Sequence, residues 1–246
     1  MSPTSDDTGR SFDGPVSRVV SLVPSLTEAV AVTAPGLLVG ATDWCSHPAD
    51  LHVTRVRGTK NPDVAAVLDL RPDLVLANAE ENREADLEAL RAAGTRVWTT
   101  YPRTVPEALD SLARMLTACG LDRPGWLDAA ADVWADPEPG PRRTGIVPIW
   151  RRPWMAVGSG TFTGDVLWRL GIDNALADSP ERYPRIALDQ LPAYDVVVLP
   201  DEPYSFSPDD GPEAFDRPAR CVSGRHLTWY GPSLVEARAL LRAQLR

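Results

Sequence analysis

Short apolar runs alternating with helical patterns, in two blocks parted by a breaker, constrain this chain more than any other feature. In the first block Arg18–Val23, Leu37–Ala41, Leu74–Ala77 and Arg96–Thr99 read as strands. Helical spacing follows from Ser25, through Val64–Leu70 and through Glu84–Ala93, and Gly94 ends the last of these. Ser25 and Glu28 have the spacing of a capping box, in which hydroxyl and carboxylate satisfy first-turn amides. Amphipathic helices are expected over 105–119 and 124–134, and Asp136–Arg143, rich in Pro and Gly, breaks the pattern. The second block places strands at 145–150, 155–157, 196–199 and 220–223. Its helices fall at 163–170, at Leu188–Leu191 and from Pro232 to the end. Strands alternating with helices imply parallel sheets with helices on their faces. The expected class is therefore α/β, with two lobes that each hold a parallel sheet.

Composition narrows the function. Among 246 residues the net charge is −9, and no block of consecutive Lys or Arg offers a nucleic-acid footprint. No apolar run reaches the ~18 residues of a membrane span, so no membrane insertion is expected. The three cysteines, Cys45, Cys119 and Cys221, are odd in number and form no CxxC pair, which argues for reduced thiols. Met1–Pro15 is polar and acidic, with neither an apolar core nor an early Cys. It reads as a disordered tail without an export signal or lipid anchor, so a cytoplasmic protein is expected; an extracytoplasmic one follows if a signal has been removed.

Three segments in order carry a resemblance: Arg18-Val-Val-Ser-Leu-Val-Pro-Ser-Leu-Thr-Glu28, Val39-Gly-Ala-Thr-Asp-Trp-Cys-Ser-His-Pro48 and Leu70-Arg-Pro-Asp-Leu-Val-Leu76. In these the chain, over residues 16–246, resembles the helical-backbone (class III) substrate-binding proteins that serve ABC importers, and its cobalamin-binding members most. The resemblance implies an N-terminal lobe over 16–120, a connecting helix and linker over 121–143, and a C-terminal lobe over 144–246. The connecting helix, about three turns at ~3.6 residues each, is short for the family. A ligand cleft between the lobes is implied, in keeping with the crevice outside the carboxyl ends of parallel strands.

The same resemblance points to binding residues. Trp44, Tyr183 and Trp229 fall where an aromatic wall for a flat macrocycle is expected, since aromatic faces supply contact area at low entropic cost. Thr59 and Asn78 stand at first-lobe cleft positions where cobalamin binders often have Trp, which leaves room for a more polar ligand. Ser25 offers a hydroxyl after the first strand, although capping alone accounts for it. Trp150 and Trp154 flank Arg151 and Arg152, a set that either lines a cleft and pairs an anion or is simply solvated. His47 and His226, one per lobe, are candidate metal ligands, because neutral imidazole binds cobalt, iron and zinc. Tyr204 and Tyr230 are candidate haem-iron ligands. Glu84 is the candidate for docking onto an importer.

The leading function is thus a non-catalytic binder of a metal chelate or tetrapyrrole-like ligand, cobalamin first, with haem or a ferric siderophore as alternatives. It would serve as a carrier or accessory protein with no required cofactor. Two further readings stay open: a cytosolic enzyme using Cys45 with His47 and Asp43, and an interaction module reusing the fold. No nucleophile elbow or cofactor-binding glycine pattern accompanies the thiol, and Gly158-Ser-Gly160 is too brief for a phosphate loop.

Overall fold

A computed structural model describes residues 4–246. The chain divides into two compact units. Of the described residues, the first holds 4–102, 107–128 and 230–232; the second holds 103–106, 129–229 and 233–246.

The first unit is built on a five-stranded, fully parallel sheet. Its strands are β3 (Val19–Ser21), β4 (Leu38–Ala41), β5 (Thr54–Arg55), β8 (Leu74–Asn78) and β9 (Val97–Thr100), in the order β5-β4-β3-β8-β9. The central strands are buried on both faces, which is why β8 is apolar up to its last residue rather than alternating. Helices α1 (Pro24–Thr33), α2 (Val64–Asp69), α3 (Glu84–Ala92) and most of α4 (Val105–Ala118) belong to this unit. Leu26, Leu87, Leu90, Leu112 and Met115 supply its core. A small hairpin, β6 (Arg57–Gly58) with β7 (Asn61–Pro62), was not anticipated from the sequence.

Two expectations about this unit are overturned. Residues 4–15, expected in a disordered tail, are built into the fold; residues 1–3 lie outside those described. β1 (Thr4–Ser5) and β2 (Ser11–Phe12) pair antiparallel, and the Phe12 ring packs 4.9 Å from that of buried Trp98. Asp6 is buried and accepts from the amides of Thr8, Arg10 and Thr99, so a residue that reads as tail polarity is a structural anchor on β9. The capping box is also absent. Val23 is the N-cap of α1 and Pro24 fills the first helical position, so the helix starts before Ser25.

Helix α5 (Gly125–Val133), nine residues long, carries the chain from the first unit into the second. The second unit holds a four-stranded parallel sheet of β10 (Arg143–Ile146), β13 (Ile172–Asn174), β14 (Val196–Pro200) and β15 (Ala219–Val222), in the order β13-β10-β14-β15. The strand expected over 145–150 is split. Past Ile146 the chain leaves the sheet, and β11 (Pro148–Trp150) forms an antiparallel hairpin with β12 (Met155–Ala156). α6 (Phe162–Arg169) is capped by the Thr161 hydroxyl. α7 (Gly224–Thr228) and α8 (Leu234–Gln244) close the unit. Tyr230–Pro232, expected in the second lobe, packs with the first unit.

Candidate functional site

In the first unit the carboxyl ends of β3, β4, β8 and β9 gather Ser25, Trp44, Thr59 and Asn78. Trp44 lies in the loop after β4 and is 68% exposed. Three elements hold that loop. Arg55 donates to the carbonyls of Thr42, Cys45 and Leu51. Asp43 N donates to Arg57 O, tying the loop to the β6–β7 hairpin. Cys45 is buried, its sulfur 3.0 Å from Thr27 Oγ1 and 3.1 Å from Thr42 Oγ1. The indole nitrogen of Trp44 rests against Gly58, where an added Cβ would stand 3.3 Å from it. A large apolar ring is thus offered to solvent from a stitched loop.

Asn78 is different. Its Nδ2 donates to the Tyr230 hydroxyl at 2.8 Å, and its Oδ1 accepts from the amides of Glu80 and Glu81. With 4% exposure and its donor and acceptor engaged, it ties the carboxyl end of β8 to Tyr230 and offers little surface for the ligand contact expected. Ser25 is likewise buried, its Oγ accepting from Tyr230 N at 3.3 Å. Thr59 is buried, and its carbonyl accepts from Asn82 Nδ2. Tyr230, a candidate iron ligand, is buried against Asn78 and Thr100, and burial pushes its phenol well above the usual tyrosine range. That favours a neutral phenol over the tyrosinate an iron would take.

In the second unit the corresponding strand ends carry the β11–β12 hairpin and the segment after β14. Trp154 stacks parallel to Phe206 at 5.9 Å and meets Phe215 edge-on at 5.3 Å, so it serves the core more than a ligand. Arg151 sits over Trp154 and pairs with both Asp210 and Glu213. Arg152 is exposed. Trp150 is exposed too, edge-on to Tyr204 at 5.7 Å. Tyr204 donates to Asp210 Oδ2 at 2.6 Å. This bond raises the Tyr204 pKa and lowers that of Asp210, again against a tyrosinate ligand. Tyr183 is half-buried in a segment held along β12, where Gly158 N donates to Arg182 O and Ala156 N to Pro184 O. A Cβ on Gly158 would come within 2.2 Å of Glu181 O, so only glycine allows this approach. Trp229, expected as an open aromatic wall, is 7% exposed and buried.

The two candidate metal ligands fall in different units, each with hydrogen-bond partners of its own. His226 is buried with Nδ1 2.7 Å from Ser223 Oγ and Nε2 3.0 Å from Glu236 Oε1, so both ring nitrogens are used. His47 lies in the other unit, its Nδ1 3.1 Å from Ser46 Oγ. Among the described residues no group of three His, Cys, Asp or Glu is placed to hold a metal ion. The thiol reading fails because burial pushes the Cys45 thiol up and its neighbours are hydroxyls rather than a base. Glu84 is exposed at the start of α3 and pairs with Arg91 at 2.6 Å.

Sequence reasoning did not find Arg55, Asp210 or Tyr230 in these roles. Tyr230 acts through partners more than a hundred residues away, and Arg55 and Asp210 act through loop atoms that no local pattern marks.

No family model matches the chain. The vitamin B12-binding protein of Vibrio cholerae is 24% identical over 200 residues, spanning 72% of this chain and 67% of that protein. The vitamin B12-binding protein of Salmonella typhimurium is 24% identical over 183 residues, 71% of this chain and 68% of the relative. Among solved structures, the periplasmic vitamin B12 binding protein of Vibrio cholerae has a TM-score of 0.72 at 19% identity, covering 94% of this chain and 97% of that one. A periplasmic haem binding protein from Pseudomonas aeruginosa has a TM-score of 0.71 at 25% identity, covering 93% and 92%. These structures share the α/β architecture described above and are binding proteins rather than enzymes. Both of these solved proteins are periplasmic, so the cytoplasmic placement expected from the N-terminus finds no support in them. No helix among the described residues is long and apolar enough to cross a membrane.

Proposed function

We propose that this chain, a member of the helical-backbone substrate-binding protein family, binds a flat, metal-bearing macrocycle, with cobalamin as the first ligand to test. Relatives named for vitamin B12 binding support the ligand class. The observation that carries the reading is Trp44, a 68% exposed indole on a loop fixed by Arg55 and buried Cys45. An exposed aromatic held in place loses little entropy on binding, and contact with a flat ligand face is its natural use. Haem is the second reading, supported by exposed Trp150, a further flat apolar face in the second unit. On either reading the protein works outside the cytoplasm and hands its ligand to an importer, with Glu84 as one exposed acidic contact.

Titrating hydroxocobalamin and haemin separately while following tryptophan fluorescence tests this. Quenching with a dissociation constant below ~100 μM, beyond ~5 kcal/mol of binding, is expected for at least one of them. Absence of quenching with both would overturn the macrocycle reading. Cell fractionation tests the compartment, and a purely cytoplasmic pool would overturn delivery to an importer.

A further inference from the structure

We propose that a cavity at the amino ends of β14 and β15 is a ligand site of its own, which takes a small zwitterion with an apolar side group, such as a hydrophobic α-amino acid. The cavity lies wholly within the second unit, at the opposite end of its sheet from the strand ends described above. It is independent of the macrocycle reading.

The cavity follows from the way β14 is joined to β15. Parallel neighbours need a crossover, usually a helix that covers the sheet face. Here β14 ends at Pro200 and β15 starts at Ala219, and the helical structure between them is one short 3₁₀ turn, Pro212–Ala214. Connections of this length with so little regular structure are uncommon and tend to carry function. Phe206 and Phe215 of the crossover pack with Val197 and Leu199 of β14 and so cover part of the face. Where the crossover turns back into β15 the cover is incomplete. A cavity of about 310 Å³ opens there, between the crossover and the residues that lead into β14. That volume is at the lower end of the range for small-molecule sites.

Its walls and its rim differ in chemistry. Leu188, Leu191, Ala214 and Phe215 give it apolar walls. Asp216 and Arg217 also line it; both are exposed, and so they mark its rim. Tyr194 donates to Asp216 Oδ1 at 3.0 Å. Among the described residues neither Asp216 Oδ2 nor the Arg217 guanidinium has a hydrogen bond or an ion pair. Burial raises the Tyr194 pKa and the Arg217 charge works against it, so that guanidinium stands near the phenol. A ligand with a single charge would meet one attraction and one repulsion at this rim. A zwitterion satisfies both groups, with its ammonium on Asp216 and its carboxylate on Arg217 through two parallel bonds. Its side group then leaves water for the apolar walls.

Ligand-observed NMR titration of the full chain tests the site. The probes are L-leucine and L-phenylalanine, set against 3-methylbutylamine without the carboxylate, 4-methylpentanoate without the amine, and glycine without the side group. At least one of the two amino acids is expected to bind with a dissociation constant below ~1 mM, and each truncated probe at least tenfold more weakly. Arg217→Gln should erase the preference over the amine, and Asp216→Asn the preference over the acid. Asparagine keeps an oxygen for the Tyr194 hydroxyl and Arg217 is exposed, so the Tm of each variant should match that of the wild type. Failure of both amino acids to bind at ~10 mM overturns the proposal. An amine or acid that binds as tightly as the amino acid overturns the zwitterion, and preferences that survive both substitutions place the binding elsewhere and overturn the site.

Discussion

Asn78 Nδ2 donates to the Tyr230 hydroxyl oxygen at 2.8 Å, joining residues 152 positions apart at the carboxyl end of β8. The proton arrangement follows from the neighbours. Thr100 donates its hydroxyl to Ala77 O at 3.1 Å, so the phenol donates to Thr100 Oγ1, 2.8 Å away. Every polar atom of this buried trio has a partner, which is the condition for such a network to stabilise a fold. Tyr230→Phe removes the hub and leaves Asn78 and Thr100 short of partners. The expected cost is about 1–3 kcal/mol in urea denaturation. A double mutant with Asn78→Ala is expected to cost less than the sum of the two singles, and strict additivity would show that the two do not interact.

Alkaline pH should weaken the fold through its buried acids. Burial pushes the Cys119 thiol up to about 12, and raises Cys45 and Tyr230 as well. An unfolded thiol titrates near ~8.5, so above that pH the unfolded state releases protons that the fold retains. The unfolded state then binds fewer protons, and stability falls as pH rises from about 8.5 towards the folded values. Urea midpoints between pH 7.5 and 10.5 measure the slope. Cys119→Ala should flatten it; an unchanged slope would rule out this thiol as a source.

Two tryptophans that look alike in the sequence should behave oppositely. Trp44→Ala removes an exposed ring and should change stability by no more than ~0.5 kcal/mol. It should weaken macrocycle binding at least tenfold. Trp229→Ala empties a buried site and should cost about 3–5 kcal/mol. Equal stability losses in the two variants would contradict this assignment.

The N-terminal segment should behave as part of the first unit. Asp6 accepts from Thr8, Arg10 and Thr99 while buried, so Asp6→Ala should cost about 1–3 kcal/mol. Hydrogen exchange at the Thr99 amide reports it directly, since that amide donates to Asp6 Oδ2 at 3.1 Å. Unchanged protection there would mean the segment is not anchored in solution.

The sequence by itself determined the α/β class and most of the sheet strands, because each of those signals is local. An apolar run such as Val196–Leu199, closed by Pro200, reads as a strand buried on both faces, and helical spacing such as that of 105–119 names its own buried face. It also placed Trp44 in the loop after the second expected strand, where the fold leaves the ring exposed. Tertiary structure alone decided which polar side chains are free. Asn78, His226 and Arg151 carry the same donors in the sequence as any binding residue would, and distant partners consume them: Tyr230, Glu236, and the pair Asp210 and Glu213. Arg152, one position along, is left exposed. A side chain's availability depends on what the folded chain brings within about 3 Å of it, the reach of a hydrogen bond, and that distance is not written in the order of residues.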